Sequence, residues 1–210
     1  MSISDDAKLS WVNTGIVSSD EYKVFSVQRI KSRHIDSHRE GLFSVISSPN
    51  WVNIFALTPN DEVVLIRQFR HGTHSVVTEI PGGMIDEGES PLKAAQRELQ
   101  EETGYTAKTW VCLGSSQPNP AIQSNECVMF LALDATLSHS VSLDENEVID
   151  TFLKPLTDMP AFIYSGEIRH ALILACFTYF TQLAKGWQRP STNAIQHWQP
   201  TYLAHDDDSL

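Results

Sequence analysis

The feature that most constrains the fold is a helical segment at residues 90–103, which combines an apolar stripe with a run of glutamates. Ser90 can cap this helix with its hydroxyl, and Pro91 suits the first helical position. At about 3.6 residues per turn, one face carries four side chains that can pack on a sheet: Leu92, Ala95, Leu99 and Thr103. The periodicity therefore predicts a helix with one buried face and one acidic face.

The acidic face holds Glu98, Glu101 and Glu102 within an arc of roughly 100°. Like charges one turn apart destabilise a helix by about 0.2–0.5 kcal/mol per pair, so a partner must offset them. Clustered carboxylate oxygens suit hard divalent cations such as Mg²⁺ or Mn²⁺. The alternative is a solvated helix face whose charge is neutralised by Lys93 and Arg97. The glutamates by themselves leave both interpretations open.

The spacing across residues 83–105 favours the metal site. Gly83 is followed after five residues by Glu89, and after seven more residues comes the run RELQEETGY. This pattern resembles the Nudix box. Seven positions of the box demand one residue type, and all seven carry it here: Gly83, Glu89, Arg97, Glu98, Glu101, Glu102 and Gly104. Two further positions demand a bulky apolar residue, which Leu99 satisfies fully and Tyr105 loosely.

The resemblance implies the Nudix fold, an α/β (α+β) architecture in which a mixed β-sheet is sandwiched between helices. It also implies that Glu98 and Glu102 are the core metal ligands, and that Glu101 is catalytic and supports or shares a second ion. In the family, the backbone carbonyl of Gly82 often completes the site. The implied cofactor is Mg²⁺, or Mn²⁺ in its place, with about two or three ions per site.

Four box residues are expected to have structural roles. By resemblance, an ion pair between Glu89 and Arg97 locks the loop to the helix. Gly83 lets the chain turn sharply beside the metals, and Gly104 can end the helix in a left-handed conformation.

The segments that flank the box narrow the subgroup. Residues 66–70, with sequence IRQFR, and residues 79–83, with sequence EIPGG, resemble the ADP-ribose and nucleotide-sugar pyrophosphatase branch. Strand alternation places Arg70 on the face opposite Arg67, so we expect only one of these arginines to reach a phosphate. The resemblance favours Arg70 as that contact, with Glu79 as a second substrate-binding residue. The alternative for either arginine is a surface ion pair.

An acidic loop at residues 144–147, with sequence DENE, precedes an apolar run. It resembles the loop that brings a further glutamate to the metals in this branch. The spacing suggests Glu145 as general base and Glu147 as an extra metal ligand, since a carboxylate beside cations can take a proton from an acidified water. The two roles can be reversed, and the alternative is a solvated acidic turn.

The predicted activity is metal-dependent hydrolysis of the pyrophosphate bond of a nucleoside diphosphate derivative. Residues 117–121, with sequence QPNPA, resemble a proline marker of members that prefer ADP-ribose, although a rigid loop explains them equally. ADP-ribose, which would give AMP and ribose 5-phosphate, is therefore the leading substrate. The alternatives are another nucleotide sugar such as GDP-mannose, or a non-catalytic ADP-ribose sensor. A sensor would predict decay of the box glutamates, and all of them are present.

The net charge of −11 excludes long nucleic acids as good partners, because a negative surface repels phosphate backbones. The most apolar stretch, at residues 171–180, is shorter than the ~20 residues that span a bilayer, so no membrane partner is expected. The three cysteines are far apart and include no CxxC pair. Together with an N-terminus that does not read as a signal peptide, they favour a reduced, cytoplasmic setting.

Three regions are predicted along the chain: an N-terminal strand extension at residues 1–48, a Nudix domain at 49–186 and a tail at 187–210 that reads as loop. In the extension, two strand-like runs at residues 22–30 and 42–47 carry apolar side chains that need burial. A two-stranded ribbon alone is marginally stable in water. The resembling pyrophosphatases are homodimers with crossed N-terminal strands, so we expect a homodimer in which this extension contacts the substrate.

Overall fold

The computed structural model describes residues 5–199, which divide into two units. The first comprises the described residues up to Pro49 together with Gln117–Asn125, and the second comprises Asn50–Ser116 and the described residues from Glu126 onward. After a short 3-10 turn, the first unit contains three strands: β1 (Trp11–Glu21), β2 (Ser26–His34) and β3 (Glu40–Ser47). They form an antiparallel sheet in the order β1-β2-β3.

The N-terminal antiparallel extension is thus confirmed, but with three strands instead of two. Strand β1 escaped prediction because polar residues and Gly15 interrupt its apolar alternation. Its pairing with β2 is also irregular, with register shifts between Asn13 and Gly15 and between Ile16 and Ser18. All eleven residues of β1 are exposed.

The second unit contains nine strands and four helices. The strands are β4 (Trp51–Leu57), β5 (Glu62–Arg70), β6 (Ser75–Glu79), β7 (Gly82–Met84), β8 (Tyr105–Thr106), β9 (Thr109–Ser116), β10 (Cys127–Leu133), β11 (Thr136–Leu137) and β12 (Ile149–Pro155). The helices are α1 (Pro91–Thr103), α2 (Met159–Tyr164), α3 (Ala171–Ala184) and α4 (Thr192–Gln196), and a 3-10 turn, Leu156–Asp158, precedes α2.

Its main sheet is mixed and runs β12-β5-β4-β10-β9, with β6 paired to β5 and β7 paired to β4. The β4–β10 pair is parallel and its neighbours are antiparallel. Strand alternation divides the core: Val52, Ile54 and Ala56 pack with Leu99 of α1, while Phe55 and Leu57 belong to a cluster with residues of α3. The predicted sheet between helices is confirmed.

Two local predictions differ from the structure. Gly83 was expected at a sharp turn, but Gly82 and Gly83 begin β7, which pairs with β4. Gly82 permits this close approach, because a Cβ there would lie 2.2 Å from the carbonyl oxygen of Val52.

The tail was expected to be loop, yet it contains α4, and the side chains of Trp187 and Trp198 pack against the core cluster beside α3. Arg189 ties this segment back through ion pairs with Asp61 at 2.6 Å and Asp134 at 3.2 Å. Residues 200–210, with their acidic run, lie outside the described residues. Within residues 5–199, no helix has the length and apolarity needed to cross a membrane.

Candidate active site

Helix α1 carries the acidic arc and is fixed at both ends. The Ser90 hydroxyl accepts a hydrogen bond from the Lys93 amide at 3.4 Å, and Pro91 occupies the first turn. Gly104 ends the helix in the left-handed region with φ 74°, and its amide donates to the Gln100 carbonyl at 2.8 Å. A Cβ at Gly104 would lie 2.3 Å from the carbonyl oxygen of His139, so both conformation and space require glycine.

The two glycines that begin β7 are in direct contact with the acidic arc of α1. The Gly82 amide donates to Oε2 of Glu102 at 3.0 Å. A Cβ on Gly83 would lie 2.3 Å from Oε1 of Glu98, so this carboxylate rests against bare backbone. The structure therefore brings Gly82, Gly83, Glu98 and Glu102 together, as the sequence pattern required.

Burial and mutual repulsion shape the electrostatics of the arc. Burial raises the pKa of Glu102 well above its usual range, with the charges of Glu98 and Glu147 adding to the shift, while the Gly82 amide and Arg70 oppose it. Burial also raises the pKa of Glu98, which Arg97 opposes and Glu101 and Glu147 reinforce. These couplings place Glu147 within electrostatic range of the arc, and Arg70 within range of Glu102.

Arg97 is the hub of the loop–helix junction. The expected ion pair with Glu89 is present, with Arg97 Nη2 2.9 Å from Oε2 and Nε 3.1 Å from Oε1. This hydrogen bonding lowers the pKa of Glu89. Arg97 also bonds Glu98 at 2.8 Å, Glu101 at 3.1 Å and the carbonyl of Met84 at 2.9 Å. Its role is wider than the predicted single pair.

Among residues 5–199, no three acidic, histidine or cysteine side chains already stand in metal-binding geometry. Glu98 and Glu101 instead bond to Arg97. The chemistry of the donor set still fits a hard divalent cation: Glu98, Glu101 and Glu102 are oxygen donors on one arc, and the charge of Glu98 contributes to the raised pKa of Glu102.

The acidic loop at residues 144–147 is exposed. The Asp144 amide donates to Oε2 of Glu147 at 3.2 Å, and the Glu147 amide donates to the Asp144 carbonyl at 3.0 Å, so the loop is a closed turn. Just before it, the Ser142 amide donates to the carbonyl of Glu101 at 2.9 Å. The structure thus brings Glu147 towards the arc, whereas the side chain of Glu145 lies in solvent.

Arg70 and Glu79 form an ion pair in which Glu79 is buried and Arg70 is partly exposed. Oε2 of Glu79 accepts from Arg70 Nη2 at 2.7 Å, from Arg70 Nε at 3.0 Å and from Gln68 Nε2 at 3.1 Å. The Glu79 side chain is 3% exposed and that of Arg70 is 47% exposed. Arg67 points to the other face, as alternation predicts, and pairs with Asp150. Substrate can therefore reach Arg70 much more readily than Glu79.

Two residues near the site were missed by sequence reasoning. The side-chain amide nitrogen of Asn53 is buried without a hydrogen-bond partner among residues 5–199, and its side-chain oxygen would lie 2.8 Å from a Cβ on Gly82. An amide in the middle of an apolar strand run was the available signal. The charges of Glu79 and Arg70 affect the pKa of His170. No local sequence pattern predicts that His170 lies near them.

Comparison with known proteins gives a family match and several similar relatives. The family model described as "NUDIX domain" matches residues 49–175. An ADP-ribose pyrophosphatase of Bacillus subtilis is 31% identical over 128 residues, covering 60% of this chain and 69% of the relative. A GDP-mannose pyrophosphatase of Yersinia enterocolitica is 30% identical over 130 residues, covering 58% of this chain and 67% of the relative.

A solved structure of an ADP compounds hydrolase shares the fold with a TM-score of 0.72 at 24% identity. It covers 84% of this chain and 96% of its own.

Proposed function

The chain belongs to the Nudix family, and on that premise we propose that it hydrolyses the pyrophosphate bond of ADP-ribose to AMP and ribose 5-phosphate. The observation that carries the proposal is the contact between the two glycines of β7 and the carboxylates of Glu98 and Glu102. The similarity to an ADP-ribose pyrophosphatase supports the substrate. The similarity to a GDP-mannose pyrophosphatase keeps that nucleotide sugar as the second candidate.

The reaction is proposed to depend on Mg²⁺ or Mn²⁺ held by Glu98, Glu101, Glu102 and Glu147, with the Gly82 carbonyl as a further ligand. Such ions would neutralise the diphosphate charge and acidify an attacking water. Arg97 bonds one oxygen each of Glu98 and Glu101, which leaves the second oxygen of each carboxylate to act as a ligand. Glu102, bonded to a backbone amide, is already fixed.

The remaining roles fall to residues around the arc. Glu145 is proposed as the general base that takes the proton of the attacking water, because it is an exposed carboxylate on a turn that approaches the arc. Arg70 is proposed to bind a phosphate oxygen through its free nitrogen, Nη1. Glu79 was expected to bind substrate, but its burial and its three hydrogen bonds favour a positioning role for Arg70.

The test is release of AMP from ADP-ribose by the purified full chain, with and without Mg²⁺. A panel containing GDP-mannose and other nucleotide sugars then ranks the substrates by kcat/KM. We expect activity that chelation abolishes and that added Mg²⁺ restores. A protein that binds ADP-ribose but releases no AMP at saturating Mg²⁺ would instead be the sensor.

We also propose a homodimer formed through the first unit, in a reduced cytoplasmic setting that the three free cysteines support. The exposed large apolar side chains of this unit include Trp11, Ile16, Tyr22, Leu42 and Phe43. Apolar side chains gathered on one small sheet favour a covering partner.

Deleting residues up to Ser47 should convert the dimer to a monomer and raise KM for the substrate. A shorter deletion that ends before Trp11 keeps all three strands and is the matched control. Light scattering measures the mass, and a fully active wild-type monomer at micromolar concentration would reject the dimer.

A further inference from the structure

A cavity of about 900 Å³ lies between the β5–β6 hairpin and the segment that precedes α3. Arg70 and Glu79 line it from the hairpin, and Arg169 and His170 line it from the segment. Ligand pockets commonly measure roughly 300–1,000 Å³, so this space can hold half of a nucleotide-sized substrate. The roles proposed above make no use of Arg169 or His170.

The cavity offers cationic donors that no carboxylate fully occupies. Arg169 is exposed, and within residues 5–199 it has no hydrogen bond or ion pair. Arg70 uses Nε and Nη2 on Glu79, which leaves Nη1 to face a ligand. Arg70 is paired with Glu79, so Arg169 supplies the positive charge that has no ion-pair partner among residues 5–199. Both guanidinium groups keep donors that are suited to phosphate oxygens.

The remaining lining favours a sugar over a nucleobase. Thr73, Ser75 and Ser165 contribute hydroxyl-bearing side chains to the lining, where those of Thr73 and Ser75 bond each other at 3.0 Å and that of Ser165 donates to the Phe162 carbonyl. Glu167 adds a carboxylate that can accept from sugar hydroxyls. The described residues that line the cavity include no Phe, Tyr or Trp. A base would therefore find none of the large aromatic faces on which it usually stacks.

The cavity lies close to the acidic arc along the chain. Glu79, on the cavity wall, precedes Gly82 by three residues, and the Gly82 amide donates to the Glu102 carboxylate at 3.0 Å. Burial, aided by Arg70 and opposed by Glu79, lowers the pKa of His170. A neutral imidazole can both donate to and accept from a hydroxyl.

We propose that this cavity binds the sugar-phosphate half of the substrate, with Arg70 and Arg169 supplying positive charge and the hydroxyls and His170 bonding the sugar. The inference rests on the proposed pyrophosphatase function and adds which half of the substrate enters this space. It identifies Arg169 as a residue that determines specificity for phosphosugars.

The test compares Arg169→Gln with Lys108→Gln, which removes one positive charge at an exposed position away from the cavity. Isothermal titration measures binding of ribose 5-phosphate and, separately, of AMP to the full chain without substrate turnover. In Arg169→Gln, the loss of a charge-assisted hydrogen bond should weaken the affinity for ribose 5-phosphate by about 10-fold. AMP affinity should not change, and Lys108→Gln should bind both as wild type.

Kinetics provide the second measurement. Arg169→Gln should raise KM for ADP-ribose by about 10-fold with little change in kcat, because binding is lost equally in ground and transition states. Unchanged ribose 5-phosphate affinity in Arg169→Gln, equal weakening of AMP, or a wild type that does not bind ribose 5-phosphate at millimolar concentration would overturn the inference. A wild type that binds ribose 5-phosphate but hydrolyses nothing in the panel would refute the proposed function instead.

Discussion

Helix α1 and the loop at residues 144–147 both present closely spaced carboxylates, yet the structure holds them in different ways. On α1, Glu102 is 4% exposed and its carboxylate bonds the amide of Gly82. In the loop, Glu145 and Glu147 are exposed, and the turn is closed by bonds between Asp144 and Glu147. Buried, backbone-bonded carboxylates are organised before a ligand arrives, whereas exposed ones can adjust to it.

The difference in burial between these glutamates indicates which of them suit metal binding and which suit proton transfer. Burial of Glu102 and Glu98 is unfavourable for the charged forms, as their raised pKa values show, and it suits groups that a cation will neutralise. An exposed glutamate can change its orientation, which suits a group that must accept a proton and release it. Four predictions test this contrast, in order of decreasing effect on activity.

The largest effect is expected from Glu98→Gln and Glu102→Gln. Each removes an anionic ligand without changing shape, and several kcal/mol of charge stabilisation corresponds to a loss of about 10⁴-fold in kcat/KM. Thermal unfolding in metal-free buffer should show Glu102→Gln to be at least as stable as wild type, because it removes a buried charge. Near-wild-type turnover of either variant at saturating Mg²⁺ would place the site elsewhere.

Glu145→Gln should act on the chemical step and lower kcat by about 10³-fold, with KM little changed. Glu147→Gln should have a smaller effect on kcat and should raise the Mg²⁺ concentration needed for half-maximal activity. Initial rates over a matrix of substrate and Mg²⁺ concentrations separate the two. A larger loss of kcat in Glu147→Gln would show that the two roles are reversed.

Adding one methyl group beside Glu98 should affect activity more than truncating a side chain in the loop at residues 144–147. In Gly83→Ala the new Cβ would lie 2.3 Å from the Glu98 carboxylate, which must move while the backbone stays. Displacement of a reacting group by about 1 Å can reduce the rate by ~10²-fold, so a loss of this order in kcat/KM is expected. Asn146→Ala in the exposed loop should change kcat/KM by less than about twofold. Similar losses in both variants would remove the contrast.

The smallest effect on activity is expected from Glu89→Gln, which should act on stability. The pKa of Glu89 is lowered in the folded state, chiefly by its hydrogen bonds with Arg97. Its contribution, about 1 kcal/mol, is therefore present above the carboxyl pKa of the unfolded chain and is lost as the pH falls through the lowered folded value. Urea unfolding at neutral and acid pH should show a difference in the free energy of unfolding between wild type and Glu89→Gln that disappears in acid. A difference that stays constant with pH would assign the effect to packing.

The sequence predicted α1 well because every determinant is local. The cap at Ser90, the buried stripe with Leu99 and the left-handed Gly104 all lie within or directly beside the helix. The resemblance to the box led us to expect Glu98 and Glu102 beside the two glycines of β7, since the spacing and the glycines allow few alternatives.

Other parts depend on contacts between distant segments and could not be predicted in this way. Strand β6 was not predicted, because its five residues form a strand by pairing with β5. The proximity of His170 to Glu79 joins segments that are far apart in sequence. In the tail, which was expected to be loop, Trp187 and Trp198 pack against the core cluster, a contact that no local pattern predicts. Strand alternation correctly predicted that Arg67 and Arg70 lie on opposite faces, because it depends on one strand alone.

The parallel pairing of β4 with β10 also sets an order of events during folding. Cys127 lies opposite Trp51, and five strands and α1 intervene in the sequence. Helix α1 packs on a surface that both of these strands supply, so Glu98 and Glu102 take their positions only after a long chain loop has closed. The sheet β1-β2-β3, by contrast, joins sequence neighbours, and such local pairings form quickly. A refolding chain should therefore recover strand signals from its N-terminal region before it recovers activity.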